Sequence, residues 1–220
     1  MIDLVILGAG GTGLDVLDCV EAINAVGPRY RCLGFLDDDS RKQTSGFGGL
    51  PVLGPLSSAA AWRSARFVNA LGGPGSFTRR PTITRGTTVS DEHFETLVHP
   101  SASISSRARL GSGVLVYPNV TIGPNVHIGN HVHVLASVVV NHDAHIGDWT
   151  IIASGVSVSG RVRIGSCCYI GTGAVLKEDL VVGDGALIGM GAVVIRDVTS
   201  SSTIVGNPAQ PKPAVPREQL

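Results

Sequence analysis

The chain has little of what marks most other protein classes. Aromatic residues make up 5% of its 220 positions and charged residues 15%, with seventeen Lys plus Arg against seventeen Asp plus Glu. Without an excess of basic residues it lacks the electrostatic footprint of a nucleic-acid binder. Four cysteines (Cys19, Cys32, Cys167 and Cys168) form no CxxC or Cys/His finger spacing. That excludes a disulfide scaffold or zinc finger and fits a reduced, cytoplasmic protein. The opening apolar run, Ile2 to Leu7, is short, carries Asp3 and lacks a basic flank. It reads as a buried strand, not as a leader or membrane anchor, and a soluble protein is expected.

Glycine is plentiful, at 29 residues, and the aliphatic residues keep a strict period. From Val98 to Val194 a Val, Ile or Leu stands at every sixth position, as in Ile104, Leu110, Val116, Ile122 and Ile128 and onward without a gap. Two residues before most of these sits a second small or apolar side chain, from Ala102 through Val126, Thr150 and Cys168 to Ala192. A 3.6-residue helix would smear this period around its circumference, whereas a hexapeptide parallel β-helix turns a corner every six residues and points the same two positions inward. Glycine often follows the aliphatic residue, as at Gly111, Gly147 and Gly189, where a sharp backbone bend is expected. The expected fold over 98–199 is a left-handed parallel β-helix, triangular in section, with about eighteen residues per coil.

Residues 1–75 follow a different rule. A strand at Ile2–Leu7, the turn Gly8-Ala9-Gly10-Gly11-Thr12-Gly13, and an amphipathic helix marked by Leu14, Val16, Leu17, Val20 and Ile23 come first. Further strands are expected at Cys32–Leu36, ending in Asp37-Asp38-Asp39, and at Phe67–Leu71, ending in Gly72-Gly73. This predicts a small α/β domain, a Rossmann-like half built on a βαβ unit. A polar linker over 76–97 holds turns and one short helix, the tail 200–220 runs extended through Ile204 to Pro208, and the chain past Pro211 is expected to be loose.

Three places carry candidate chemistry. The glycine turn only loosely matches GxGxxG, and the domain is about half a full dinucleotide fold, so a mononucleotide site fits better, with Asp37 and Asp38 as hydrogen-bond acceptors. Five of the seven histidines (His127, His131, His133, His142 and His145) crowd into consecutive coils. His127 and His145 share a column with Arg109 and Arg163, which leaves a solvated edge, a subunit contact or an anion site open. His142 sits at an outward corner beside Asp143, with Gly160 one coil along, where a carboxylate would orient it as a base and the glycine would leave room for a thin thioester ligand. The near misses His127-x3-His131 and His142-x2-His145 do not make a metal site, so no metal is expected. Cys168 falls in the inward series, and Cys167 has no histidine in its own hexapeptide, which makes it a poor nucleophile.

Together the glycine-turn domain, the hexapeptide block, the segment Val140-Asn141-His142-Asp143-Ala144-His145-Ile146-Gly147-Asp148 and the ending Val205-Gly206-Asn207-Pro208-Ala209 resemble one family. It is the sialic acid O-acetyltransferase and nucleotide-aminosugar N-acetyltransferase group of hexapeptide-repeat sugar acyltransferases. The resemblance covers nearly the whole chain. It implies that His142 is the general base with Asp143 beside it, and that Gly160, Thr172 and Met190 line an acetyl-CoA groove. It implies that Gly10, Gly11, Thr12 and Gly13 hold a nucleotide together with Asp37, Asp38 and Gly72, and that the protein is a homotrimer. Thr12 stands where many members carry His, and Ile151 where some place a His that touches the coenzyme. The expected activity is acetyl-CoA-dependent N-acetylation of a nucleotide-linked aminosugar. A sialic acid O-acetyltransferase and a non-catalytic scaffold are the alternatives.

Overall fold

A computed structural model describes residues 1–212. The N-terminal domain is a four-stranded parallel sheet in the order β3-β2-β1-β4, made of β1 (Ile2–Leu7), β2 (Tyr30–Leu36), β3 (Val52–Gly54) and β4 (Arg66–Asn69). Its central strand reads as a continuous apolar run because helices or loops cover both faces, and Leu4 to Leu7 are fully buried. Helix α1 (Gly11–Val26) buries Val16, Cys19 and Val20. The short α2 (Ser40–Ser45) follows β2, and β3 is a strand that the apolar pattern alone did not announce. Over 77–93 the connection carries α3 (Arg80–Arg85) between two 3₁₀ turns.

From Leu97 the chain winds through short strands that stack into three sheets of eight, six and five strands, parallel except for the last strand of the eight. Each strand pairs with those eighteen residues away, so Val140 lies beside Ile122 and Val158. The sixfold aliphatic row and its companion fill the interior as one cluster that includes Val126, Ile152, Cys168 and Leu176. Each fully buried Val, Ile or Leu contributes roughly 1.5–3 kcal/mol, so the stacked rows hold the prism together.

The glycines after the aliphatic row do a different job from the one expected. The positive φ of the corner falls two residues later, at Asn125, Asp143, Arg161 and Asp179 among others. At Gly147 a Cβ would meet Gly165 of the next coil at 2.5 Å, so glycine there permits close stacking of coils, not the bend itself. The C-terminal segment also departs from an extended tail. Thr203–Val205 continues the eight-stranded face beside Leu187–Ile188, and Gln210–Pro211 folds back antiparallel on it. The remaining tail, residues 213–220, lies outside the described residues.

The N-domain sits on the eight-stranded face, and Arg80 is the bolt. Its fully buried guanidinium donates to Leu71 O (2.8 Å) in the N-domain and to Trp149 O (2.7 Å) and His131 O (2.9 Å) in the solenoid. With no carboxylate in reach among those partners, burial lowers its pKa to about 9. His131 stacks on Trp149 with ring centroids 3.9 Å apart, and His133 is buried beside Arg80 and Asn69 O. Burial first, with Arg80 adding to it, holds His133 well below the usual histidine range. Two of the five clustered histidines thus belong to the domain joint.

Candidate active site

His142 stands on the corner between the six- and five-stranded faces, half exposed. Its Nδ1–H donates to Asp143 Oδ2 at 2.8 Å, and the other carboxylate oxygen accepts from Asn125 Nδ2 at 3.0 Å. Asp143 can turn back onto its neighbour because it is held at φ +58° by the corner. The hydrogen bond from His142, and then that from Asn125, keep the Asp143 carboxyl below its ordinary range. With Nδ1 donating, the Nε2 lone pair is free to act as a base.

Gly160 lies directly beneath the imidazole. A Cβ there would come within 2.7 Å of both His142 Cε1 and Nε2, so the space at Gly160 is filled by the histidine ring and not left vacant for a coenzyme. The neighbouring Arg161 N–H is committed to His142 O at 2.9 Å and is no free oxyanion donor. His127 and His145 stack at 4.6 Å on the adjoining five-stranded face, between Arg109 and Arg163. Beside His145 a shallow groove of about 490 Å³ runs between Asp143, Arg161 and Asp179.

Thr172 and Met190 occupy another corner, between the eight- and six-stranded faces, one coil apart with Ser154 before them. There Gly155, Gly173 and Gly191 each have φ near +70° and open space where a side chain would be, and Met190 is 81% exposed. Within one subunit this bare strip is separated from His142 by the width of the six-stranded face. Ile151 is on neither corner. It is 3% exposed on the eight-stranded face and packs under Gly72, which puts its side chain at the domain joint and out of a coenzyme groove.

The nucleotide candidates gather at the C-terminal ends of β1, β2 and β4. Gly10 and Gly11 are open, and α1 starts with no side-chain cap and no acidic residue in its first turn, which leaves its first N–H groups without a side-chain partner. Thr12 lies in the same turn. Gly13 is a packing glycine, since a Cβ would strike Gly8 O at 2.6 Å. Asp37 braces the turn itself: its carboxylate accepts from Ala9 N–H and Asp39 N–H, both at 2.8 Å, and from Lys42 Nζ at 3.0 Å. Asp38 accepts from Leu56 N–H at 2.9 Å through one oxygen. Gly72, at φ +126°, is pressed against Arg80. The reading of Asp37 as a free acceptor is therefore corrected: its oxygens already have backbone and lysine partners. Lys42 was missed because α2 carries no apolar pattern, yet it brings a cation to the glycine turn. Asn125 was missed as well, although its place eighteen residues before Asp143 could have found it.

An outward histidine braced by a carboxylate on a left-handed triangular prism places the chain among the hexapeptide-repeat acyltransferases. The model of the GMPPB C-terminal domain matches residues 94–207, just over half of the chain, and that of the PglD N-terminal domain matches residues 3–80. The acetyltransferase domain of PglB from Neisseria gonorrhoeae FA1090, solved with acetyl coenzyme A, is 29% identical with a TM-score of 0.82, over 96% of this chain and 98% of that one. A histidine-to-alanine mutant of GDP-perosamine N-acetyltransferase from Caulobacter crescentus, solved with CoA and GDP-perosamine, is 27% identical with a TM-score of 0.84 over 96% of each chain. WeeI from Acinetobacter baumannii AYE is 26% identical with a TM-score of 0.80, over 96% of this chain and 100% of that one. No curated protein matches. The chain belongs to the family that the GMPPB C-terminal domain model describes, and the PglD-type N-domain together with these solved acetyltransferases supports a hexapeptide-repeat sugar N-acetyltransferase.

Proposed function

We propose that the chain transfers the acetyl group of acetyl-CoA to the amino group of a nucleotide-linked aminosugar, acting as a cytoplasmic homotrimer. The observation that carries the chemistry is the His142 Nδ1–Asp143 contact at 2.8 Å, which leaves the Nε2 lone pair free on a half-exposed ring. The uncharged sugar amine attacks the thioester carbonyl carbon and a C–N bond forms. His142 Nε2 takes the proton that the nitrogen sheds, the C–S bond breaks, and the leaving thiolate takes up a proton to give the CoA thiol. Asp143 stabilises the imidazolium that forms, and Asn125 keeps the carboxylate aimed. A covalent acyl-enzyme is unneeded, and burial raises the pKa of Cys167 and pushes that of Cys168 up to about 11, so neither offers a thiolate.

The three faces support the trimer. The eight-stranded face is covered by the N-domain, and the five-stranded face carries Arg109, His127, His145 and Arg163. The six-stranded face presents Ser103, Thr121, Val139, Ser157, Val175 and Val193, without a charge. With that face on a threefold axis, the His142 corner of one subunit meets the Thr172–Met190 corner of the next, and acetyl-CoA lies between them. Diphosphate fits the bare N-terminus of α1 with Lys42 beside it, and Asp38 keeps one oxygen for the nucleoside. No described helix is long and apolar enough to cross a membrane. The nucleotide-sugar and acetyl-CoA substrates, with four unpaired cysteines, support a cytoplasmic site of action.

The test is CoA-thiol release with UDP-, GDP- and dTDP-linked aminosugars, set against free aminosugars and sialic acid. Turnover of at least one nucleotide-linked amine well above every free sugar is expected. Equal or faster acetylation of sialic acid, with an Asp38→Ala enzyme unimpaired, overturns the acceptor assignment.

A further inference from the structure

The five-stranded face carries a row of donors that no carboxylate among the described residues of the same subunit meets. Arg109, His127, His145 and Arg163 stand in one column, one per coil, over about 14 Å at roughly 4.8 Å per step. Both arginines are exposed and form no ion pair among the described residues. The carboxylates on the adjoining corner are already taken, Asp143 by His142 and Asp179 by Arg161. Between the arginines, His127 and His145 each bury Nδ1 without a hydrogen-bond partner. An N–H buried without an acceptor is costly, so the ring proton belongs on Nε2 and both imidazoles add a donor to the column. Four donors in a row call for an acidic counterpart.

The chain itself offers one. Asp15, Asp18 and Glu21 lie three residues apart on α1, all exposed, over about 9 Å of helix. None of them forms an ion pair among the described residues. Partial burial, and then the nearby Asp18, raise the Asp15 carboxyl above its ordinary range, so a cation brought beside the pair would relieve it. The stripe is remote from the column of its own subunit: α1 lies against the corner of Pro118, Ala136 and Ser154, between the eight- and six-stranded faces, and the column is on the third face. The next subunit brings the two together. In the proposed trimer the His142 corner of one subunit meets the corner of Ser154, Thr172 and Met190 of its neighbour, so the face beyond His142 adjoins the neighbour's α1. Heights agree as well. The solenoid residues beside Asp15 and Asp18 run from His99 to Ser154 and the column from Arg109 to Arg163, about three coils each, and rotation about an axis along the prism leaves height unchanged. The groove of about 490 Å³ beside His145 and Arg163 leaves room for a neighbour's carboxylates.

Resting on that trimer, we infer that Asp15, Asp18 and Glu21 of one subunit dock on the Arg109, His127, His145 and Arg163 column of the next, an ionic latch between an N-domain and the neighbouring solenoid. The latch holds each N-domain beside the His142 corner of another chain. A single exposed ion pair contributes little, but like charges set against each other across an interface cost more than a matched pair gains. Charge reversal is therefore the sharp probe.

The readout is the protein concentration at which trimers dissociate, measured by mass photometry in about 0.1 M salt, where exposed charges still act over roughly 10 Å. Arg109→Glu with Arg163→Glu should raise that concentration by roughly 10-fold or more, and Asp15→Lys with Asp18→Lys should do the same. All four substitutions together restore opposite charges with the signs exchanged, and should return it to within about 3-fold of wild type. Each of the four residues is exposed, so the subunits should keep their fold, as circular dichroism would show. No change in either pair, or a fourfold variant no tighter than the weaker pair, overturns the latch. So does a column variant that leaves the trimer intact and raises KM for acetyl-CoA or the nucleotide sugar, which would give the column to a substrate phosphate. A wild type that is monomeric refutes the trimer itself, a result distinct from a wild-type trimer indifferent to charge reversal.

Discussion

The two halves of the molecule encode their sites in opposite ways. In the solenoid every position has counterparts eighteen residues away, and the corner series Pro124, His142, Gly160 and Glu178 exposes its one histidine against a repeating background. In the N-domain each element occurs once. Its polar residues divide between holding the turn and meeting a ligand, and nothing in the sequence sorts them: Asp37 braces the backbone, while the adjacent Asp38 keeps an oxygen free of the partners Asp37 has taken. A periodic scaffold makes an exception readable, and an aperiodic one does not.

If the solenoid does chemistry and the N-domain does binding, solenoid variants should act on kcat and N-domain variants on KM for the nucleotide sugar. The largest effect expected is from His142→Ala, a fall in kcat of roughly 10²- to 10⁴-fold with little change in acetyl-CoA affinity. Steady-state assays that return most of the wild-type kcat would remove the base from the solenoid corner. Next comes Val175→Arg, which places a charge on the uncharged face, where Val175 is 43% exposed. Light scattering should then find monomers with activity lost, whereas an active monomer would mean that one subunit holds a complete site.

Gly160→Leu sharpens the contrast further. Because a side chain there collides with the imidazole, the variant should lose kcat by roughly 10²-fold or more while still binding acetyl-CoA. Loss of coenzyme binding by calorimetry, with kcat retained at saturation, would return Gly160 to the coenzyme groove. In the N-domain, Asp38→Ala should raise the nucleotide-sugar KM about 10-fold and leave kcat alone, as for one charge-assisted hydrogen bond. A matching fall in kcat would show that the N-domain shapes the transition state too.

The smallest effect concerns acid titration. The Asp143 carboxyl titrates below its ordinary value, so its ionised contact with His142 is fully present above the unfolded carboxylate pKa of about 3.9 and is lost as pH falls through the depressed value. Asn125→Ala removes the second cause of that depression, and NMR titration should find the Asp143 pKa moved upward. No movement would leave His142 as the sole brace.

Some of this was legible in the sequence. The hexad row announced the prism, and the outward His142 with Asp143 beside it follows from counting in sixes. Other residues misled for definite reasons. The glycines after the aliphatic row look like bends but serve coil-to-coil contact, because the chain turns two residues later. His131 and His133 count among the clustered histidines, yet both are buried at the joint. Lys42 and Arg80 gave no signal, since what each does depends on segments distant in sequence.

By itself the sequence determined the period, the interior rows and the corner that carries His142, because a six-residue repeat allows one arrangement of inward and outward positions. Only the tertiary structure decided which polar groups remain for a ligand. Asp37 is already satisfied, Ile151 is covered, and Arg80 locks the domains together. Those outcomes turn on which backbone donor or side chain another element brings within about 3 Å, and hydrogen bonding at that range is set by packing, which no local pattern records.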